Sequence, residues 1–167
     1  MIIKKAGAND FATIRAIAYA SWPVAYGDIL SNEQLQWMLS KFYSDENLQK
    51  NADENQQFYI VYDDKNAVGF VGIEHHYKKL VTTRLHKLYI NPEAQGRGIG
   101  RFLIDFVTNQ TQENNCSKIS LNVNKYNKAV EFYRKLNFQI VGEEIIPIGN
   151  DYVMDDFQME KVMMSNV

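Results

Sequence analysis

The segment Leu88–Phe102 reads LYINPEAQGRGIGRF and joins an apolar strand pattern to an amphipathic helix through a glycine-rich turn. The first backbone N–H groups of a helix have no helical carbonyl to bind, and glycines without Cβ atoms let an anion approach them closely. Arg97 and Arg101 add positive charge at the same place. The segment therefore predicts an anion cradle built from the amides of Gly96, Arg97, Gly98, Ile99 and Gly100.

Two other glycine-rich phosphate motifs do not match this turn. A Walker-type loop needs Lys followed by Ser or Thr after its last glycine, whereas this turn continues Arg101-Phe102-Leu103. A dinucleotide-binding fingerprint has G-x-G-x-x-G spacing in the first βαβ unit, whereas here the spacing is G-x-G-x-G and lies in mid-chain. A glycine-rich turn that binds nothing is the remaining alternative.

Two stretches of the chain resemble one family. Gln95–Gly100, QGRGIG, resembles the Q/R-x-x-G-x-G/A signature of the GNAT superfamily of N-acetyltransferases. Asn122–Phe138, NVNKYNKAVEFYRKLNF, is similar to the family's second cofactor motif, in which a strand is followed by Asn, a short helix with Phe-Tyr, and usually Gly-Phe. Asn137 stands in place of that Gly, and Asn tolerates the left-handed conformation at a helix end. The resemblance covers about residues 58–161. Ile148–Lys161 and the helix with Trp22 and Tyr26 look like those of bacterial members described as polyamine or small-amine acetyltransferases.

Periodicity predicts the helices of the first half. Ile2–Lys4 favours a strand, and Asn9 or Asp10 can cap a helix with one apolar face. Ser31–Gln34 has the form of a capping box and predicts a second helix. The polar stretch Ser44–Gln57 is compatible with a short helix or a surface loop.

Strand patterns dominate the rest of the chain. Phe58–Tyr62 and Ala67–Ile73 predict a hairpin, and Phe138–Glu143 and Tyr152–Lys161 predict another with Pro147–Asp151 as its loop. Further predicted elements are a strand at 84–90, a helix after the glycine turn, a strand at 118–123 and a helix at 129–136. This order predicts one mixed α/β domain, residues 1–167, with a central mixed sheet and helices on both faces. The resemblance implies that the sheet is GNAT-like and mostly antiparallel.

Net charge, apolar runs and the Cys and His residues argue against several kinds of partner. The formal net charge of −2 argues against nucleic acid, and no apolar run is long enough to predict a membrane span. The single cysteine, Cys116, cannot form an intrachain disulfide, which favours a reducing, cytoplasmic location. His75 and His76 point to opposite faces of an extended chain, so no metal is predicted. The sequence is compatible with a homodimer but does not predict one.

The resemblance implies acetyl-CoA as cosubstrate. Its pyrophosphate is expected on the turn from Gln95 to Arg101, and its pantetheine amides are expected to pair with the backbone of Leu88, Tyr89 and Ile90 like an added strand. The residues of the second motif that are expected to contact the cofactor are Asn122, Asn127, Phe132 and Lys135.

Three side chains are candidates for proton transfer. The resemblance implies that Tyr133 protonates the departing thiolate, and a phenol with a pKa of about 10 can exchange a proton with a thiol of about 8.5. A core tyrosine is the alternative. An alkylammonium has a pKa of about 10.4, so its deprotonation at neutral pH costs about 4–5 kcal/mol and needs a base. Glu74 and His86 are the candidates for that base, and solvated strand residues are the alternative for both.

The sequence defines the acceptor amine less well than it defines the cosubstrate. Trp22 and Tyr26, with Tyr19 and Tyr43, lie in the N-terminal helical region that shapes the acceptor pocket of related enzymes, where aromatic rings can hold an alkylammonium; core packing is the alternative. Asp151, Asp155 and Asp156 could attract a cation or be solvated acids of a turn.

No Cys or Ser is placed as a nucleophile. The sequence therefore predicts an N-acetyltransferase in which a primary amine, from a small amine, a polyamine or a peptide, attacks acetyl-CoA directly in a ternary complex. A non-catalytic acyl-CoA-binding module with the same fold is the alternative.

Overall fold

The computed structural model describes residues 1–164 and has a mixed α/β fold, as predicted. Its strands are β1 Ile2–Ala6, β2 Gln57–Asp63, β3 Asn66–Glu74, β4 Thr82–Ile90, β5 Lys118–Asn124, β6 Gln139–Gly149 and β7 Tyr152–Val162. Its α-helices are α1 Phe11–Tyr26, α2 Asn32–Phe42, α3 Asp45–Asp53, α4 Ile99–Glu113 and α5 Ala129–Lys135. None of the helices in this part of the chain combines the length and apolar character that a membrane crossing requires.

Hydrogen bonds connect the strands in the order β1-β2-β3-β4-β5-β7-β6. The β1–β2, β2–β3, β5–β7 and β6–β7 pairs are antiparallel, whereas β4 pairs in parallel with β5 over Thr82–Arg84. The mixed, mostly antiparallel sheet confirms the fold class that the sequence predicts.

The chain divides into two compact units. Unit 1 comprises Met1–Glu74 and Leu85–Val107, and unit 2 comprises His75–Arg84 and the chain from Thr108 onward. β4 contributes residues to both units, and so does α4.

Helices cover both faces of the sheet in unit 1. The Phe58 ring of β2 packs edge-on against Phe11 of α1, with 6.2 Å between centroids. The next residue, Tyr59, packs against Phe106 of α4 at 4.8 Å. Because successive strand side chains point to opposite faces, α1 and α4 lie on opposite sides of β2, which confirms that prediction.

Serine caps define the starts of α2 and α3. Ser31 Oγ accepts a hydrogen bond from Gln34 N at 3.1 Å, and Ser44 Oγ accepts one from Asn47 N at 3.1 Å. The stretch after Ser44 is therefore a helix and not a loop. Asp10 occupies the N-cap position of α1, but its carboxylate accepts from Gly7 N at 2.9 Å and caps the preceding turn.

In unit 2 the final hairpin is longer than predicted. β6 extends through Gly149, so Pro147 lies in the strand and the loop shrinks to Asn150 and Asp151, which have φ of 53° and 60°. β6 is the outermost strand of the hydrogen-bonded order, and proline is tolerated there because its missing N–H leaves no ladder bond unmade. Asn and Asp accept positive φ more readily than most residues, which allows so tight a turn.

Candidate functional site

The glycine turn of unit 1 leads directly into α4. Pro92–Ala94 form one turn of 3₁₀-helix, and Phe102 N donates to Gly98 O at 3.1 Å, so the carbonyl of Gly98 accepts the first hydrogen bond of α4. Gly96 and Gly98 have φ of +79° and +78°, and a Cβ atom built on either would meet no atom within 4 Å. The backbone at both positions has a conformation that favours glycine, and there is free space where a Cβ atom would lie. Both features fit the predicted anion cradle.

The side chains of the turn differ in their surroundings. Ile99 is buried, and it anchors the start of α4. Gln95 and Arg101 are exposed. Arg97 forms an ion pair with Asp63 at the end of β2, so part of its charge is already neutralised.

The two base candidates meet on one face of the sheet in unit 1. His86 Nε2 of β4 lies 3.0 Å from Glu74 Oε1 at the end of β3, and both side chains are about four-fifths buried, with 22% and 19% exposure. The sequence identified each residue separately. Their contact depends on how β3 and β4 pair, which the sequence alone does not specify.

The opposite face of β4 carries a buried amine that the sequence analysis missed. Lys87 Nζ donates to Asn51 Oδ1 at 3.0 Å and to Gln56 Oε1 at 2.8 Å. Burial lowers the pKa of Lys87 to about 7. Strand alternation from His86 is the signal that could have placed this lysine on the helix-covered face.

The predicted aromatic group is mostly buried. Trp22 packs against Tyr26, Tyr43 and Tyr89 with centroid distances of 4.8, 5.7 and 5.6 Å. Tyr26 and Tyr89 are joined by their hydroxyls at 3.0 Å. Tyr19, by contrast, is 41% exposed. These rings form a packed cluster that links α1 to β4.

β4 continues from this cluster toward the glycine turn through Leu88, Tyr89 and Ile90. Its backbone closely approaches β3, since a Cβ atom on Gly69 would lie 3.0 Å from Tyr89 O. Asn91 N then donates to Val68 O at 2.8 Å. The segment expected to pair with pantetheine is thus held firmly on its β3 side.

In unit 2 the second motif forms α5. Asn127 Oδ1 accepts from Ala129 N at 2.8 Å and so caps the helix start, and Asn137 has φ of +70°, as its replacement of glycine predicts. Tyr133 is 7% exposed and lies between the rings of Phe132 and Phe138, with centroid distances of 5.1 and 5.4 Å. Lys135 is exposed at the last turn.

Asn122 lies in a polar network on β5. Its Oδ1 accepts from Arg84 Nη2 at 2.8 Å, and its Nδ2 donates to Glu144 Oε2 at 3.1 Å. Its side chain therefore links the parallel strand β4 to the outer hairpin within unit 2.

A buried acid lies beside this network. Asp156 of β7 is 6% exposed, and its Oδ1 has no hydrogen-bond partner among residues 1–164. Burial raises the pKa of Asp156 to about 6, with a further rise from Glu144 and Asp155, while a hydrogen bond from Asn122 and the charge of Arg84 oppose the shift. Within the same residues, no group of three or more His, Cys, Asp or Glu side chains is arranged to hold a metal ion.

Comparison with known proteins shows the family of the chain. The family model for the acetyltransferase (GNAT) domain matches residues 28–160, which is most of the chain. The chain belongs to the GNAT family. It is therefore an acetyl-CoA-dependent N-acetyltransferase.

Among curated relatives, the chain is 24% identical over 161 residues to a spermidine N(1)-acetyltransferase of Thermoplasma acidophilum, covering 92% of this chain and 94% of that protein. It is 34% identical over 67 residues to the peptidyl-lysine N-acetyltransferase YjaB of Escherichia coli, covering 39% of this chain and 42% of that protein. The crystal structure of the PaiA N-acetyltransferase of Thermoplasma acidophilum in complex with coenzyme A has a TM-score of 0.78 at 22% identity, over 96% of this chain and 98% of that one. These likenesses agree with the family's fold.

Replacing Gly98 tests the cradle of this GNAT protein. We expect Gly98→Asp to weaken coenzyme A binding at least about tenfold, because it adds a negative charge and a side chain where a pyrophosphate must approach. Gly98→Asn is the matched control, since it has the same size and tolerance of positive φ but no charge, and it should weaken binding less. Calorimetric titration with coenzyme A, alongside melting curves, measures both effects. Equal affinity of the wild type and a folded Gly98→Asp variant would exclude the cradle.

Asp156 should also make stability depend on pH. Its pKa is about 6 in the folded chain against 3.8 ordinarily, so the folded state binds more protons and this group lowers stability as pH rises from about 4 to 6. We expect Asp156→Asn to be more stable than the wild type by about 1–3 kcal/mol at pH 8 and nearly equal to it at pH 4. Urea unfolding at the two pH values measures the difference. A difference that does not change with pH would contradict this assignment.

Proposed function

We propose that this chain transfers the acetyl group of acetyl-CoA to a primary amine of a small amine, a polyamine or a peptide, by direct attack in a ternary complex. The observation that carries the proposal is the open backbone cradle at the start of α4, where Gly96 and Gly98 adopt positive φ and leave room for an anion. The printed names of the relatives, a spermidine and a peptidyl-lysine acetyltransferase, support an amine as acceptor.

The cradle would hold the pyrophosphate of acetyl-CoA. Gly98, Ile99 and Gly100 would contribute amides, together with the positive end of the α4 dipole, while Arg97 and Arg101 would add charge. Leu88, Tyr89 and Ile90 would hold the pantetheine arm through their backbone groups. Bound acetyl-CoA supplies the acetyl group as an activated thioester.

The pair of Glu74 and His86 would take the proton of the incoming ammonium. The pair lies on β3 and β4 with 3.0 Å between Glu74 Oε1 and His86 Nε2, which is hydrogen-bond distance, so the carboxylate can stabilise the imidazolium that forms when His86 accepts a proton. The neutral amine nitrogen then forms a bond to the acetyl carbon as the bond from that carbon to sulfur breaks. The pair gives the proton a positioned acceptor within the site, so that the deprotonation, which costs about 4–5 kcal/mol at neutral pH, can accompany the attack.

Tyr133 would give a proton to the departing thiolate, and Asn127 would fix the start of the helix that carries it. The ring contacts with Phe132 and Phe138 restrict the orientation of Tyr133, which aids proton transfer because a positioned donor loses little entropy. Asn122, Phe132 and Lys135 complete the proposed cofactor contacts in unit 2.

An acceptor panel tests the proposal directly. Polyamines, amino acids, aminoglycosides and peptides are each incubated with the protein and acetyl-CoA, and thiol release is followed against a sample without acceptor. Acceptor-dependent thiol release is expected for at least one amine class. Tight coenzyme A binding with no thiol release from any acceptor would instead favour the non-catalytic acyl-CoA-binding module.

The base pair is tested by pH profiles. We expect Glu74→Gln and His86→Gln each to lower kcat/KM by about 10²–10⁴ and to remove or shift its acidic limb toward the pKa of the acceptor. Because the two residues act as one unit, the double variant should lose little more than either single variant. Loss of positioning alone would lower the rate by a similar factor at every pH. Wild-type profiles and rates in both variants would leave solvent as the base.

The proposed role of Tyr133 as proton donor is tested by removing its hydroxyl. Tyr133→Phe should lower kcat by about 10²–10⁴ with little change in coenzyme A affinity, because the ring and its packing survive. Tyr126→Phe, at a tyrosine of unit 2 that is 72% exposed, is the matched control and should keep wild-type turnover. Single-turnover kinetics ensures that the chemical step is measured. Unchanged chemistry in Tyr133→Phe would make Tyr133 a core residue.

A further inference from the structure

The two arginines of the glycine turn have different surroundings. Arg97 Nη2 forms an ion pair with Asp63 Oδ2 at the end of β2, in which 52% of the arginine side chain and 36% of the aspartate side chain are exposed. Arg101 is exposed, and it takes part in no ion pair within residues 1–164. One cation of the turn is therefore available to an anion at once, whereas the other already has a partner.

Arg97 belongs to the backbone of the predicted anion cradle itself. It stands between Gly96 and Gly98, whose φ values are +79° and +78°. Its side chain therefore leaves the chain from the middle of the turn. Because this side chain is long and half exposed, a pyrophosphate on the amides of the turn would lie within its reach.

The β2–β3 hairpin sets the position of Asp63. Asp63 pairs with Asn66 across the hairpin turn, and Asn91 N, directly after β4, donates to Val68 O of β3 at 2.8 Å. The hairpin end and the chain that enters the glycine turn are thus fixed side by side within unit 1. This arrangement keeps the carboxylate of Asp63 beside Arg97.

A phosphate is a stronger partner for an arginine than this carboxylate is. The guanidinium matches the oxygens of a phosphate with two parallel hydrogen bonds, whereas the structure shows one bond, from Nη2 to Oδ2, between Arg97 and Asp63. Exposed ion pairs of this kind stabilise a protein only a little. A bound cofactor can therefore break the pair, but its net affinity is reduced by what the pair contributes.

We propose that Asp63 competes with the cofactor for Arg97, so that coenzyme A binding exchanges the Arg97–Asp63 ion pair for one between Arg97 and the pyrophosphate. Asp63 then lowers the affinity for acetyl-CoA and for the released coenzyme A alike. Differences in affinity at one site arise mostly in the dissociation rate, so Asp63 speeds the release of the product. This inference rests on the proposed function, because it requires the pyrophosphate to lie on the cradle.

A double-mutant cycle measures the competition. The wild type, Asp63→Asn, Arg97→Gln and the double variant are titrated calorimetrically with coenzyme A at low salt. We expect Asp63→Asn to bind coenzyme A about two- to fivefold more tightly than the wild type, the range expected for an exposed ion pair. The gain should shrink at about 0.5 M salt, where exposed charges are screened.

Asp64→Asn is the matched control for charge alone. Asp64 is the next residue, it is exposed and forms no ion pair within residues 1–164, and its φ of 55° is one that Asn tolerates. We expect this variant to change the affinity by less than about 1.5-fold. In the Arg97→Gln background, Asp63→Asn should tighten binding no more than Asp64→Asn does, because only a charge is then lost.

Three results would each overturn the competition. The first is an equal effect of Asp63→Asn and Asp64→Asn, which would make the gain a matter of net charge. The second is the same gain from Asp63→Asn with and without Arg97. The third is weaker binding by Asp63→Asn, which would mean that Asp63 holds Arg97 in place for the cofactor.

Stopped-flow dissociation and a truncated cofactor extend the test. Coenzyme A should leave Asp63→Asn about two- to fivefold more slowly than it leaves the wild type, with little change in the association rate. Dephospho-coenzyme A keeps the pyrophosphate and lacks the 3′-phosphate, so Asp63→Asn should bind it more tightly by the same factor. A gain seen with coenzyme A alone would overturn the assignment of Arg97 to the pyrophosphate.

These measurements separate the role of Asp63 from the proposed function. They involve no acceptor, so they hold whichever amine is acetylated. Equal coenzyme A affinity of the wild type and Gly98→Asp would contradict the cradle and with it the proposed function. A clear loss of affinity in Gly98→Asp, together with wild-type affinity in Asp63→Asn, would overturn only the competition for Arg97.

Discussion

The alternation of side chains along β4 is the constraint on which the chemistry of unit 1 depends. His86 meets Glu74 on one face, while Lys87 and Tyr89 project to the other and meet the helices. One extended segment thus carries a contact of two ionisable side chains on one face and packs against helices with the other. After Ile90 the same strand leads into the glycine turn, so its anchoring also sets where α4 begins.

Each unit buries an ionisable group whose pKa shifts toward neutrality. Burial lowers the pKa of Lys87 to about 7 and raises that of Asp156 to about 6. The physical cause is the same, since a charge removed from water is destabilised whatever its sign. The surroundings differ, however: Lys87 has two amide oxygens that accept its hydrogen bonds, whereas Oδ1 of Asp156 has no hydrogen-bond partner among residues 1–164. The fold therefore satisfies the buried lysine more fully than the buried aspartate.

Local sequence signals predicted the parts of the molecule that depend on local geometry. The Ser31 cap, the glycine turn and the left-handed Asn137 follow from backbone preferences of a few residues, and the structure confirms them. The predicted end of β6 was wrong because Pro147 was interpreted as part of a loop. Proline is also tolerated in an edge strand, but whether a strand lies at the edge depends on the order of the whole sheet.

Contacts across strands could not be predicted in the same way. Glu74 and His86 were each candidates, but their 3.0 Å contact depends on the pairing of β3 with β4. The sequence likewise could not distinguish the buried Asp156 from the exposed Asp151, because burial depends on which residues pack against each strand position. The roles of Tyr133 and of the other site residues remain predictions that the family resemblance supports.

The two-residue turn at Asn150 and Asp151 has a consequence for how such a protein can diverge. It sets the pairing in which Asp156 faces Glu144 while Asp155 faces Ile145. A single inserted residue that shifted this pairing by one position would exchange the faces of the two aspartates, because side chains alternate with a period of two. A change in loop length could therefore alter which carboxylate is enclosed without any substitution near it. In such a lineage, an insertion or deletion in this turn would change the pattern of buried charge as much as a substitution at either aspartate.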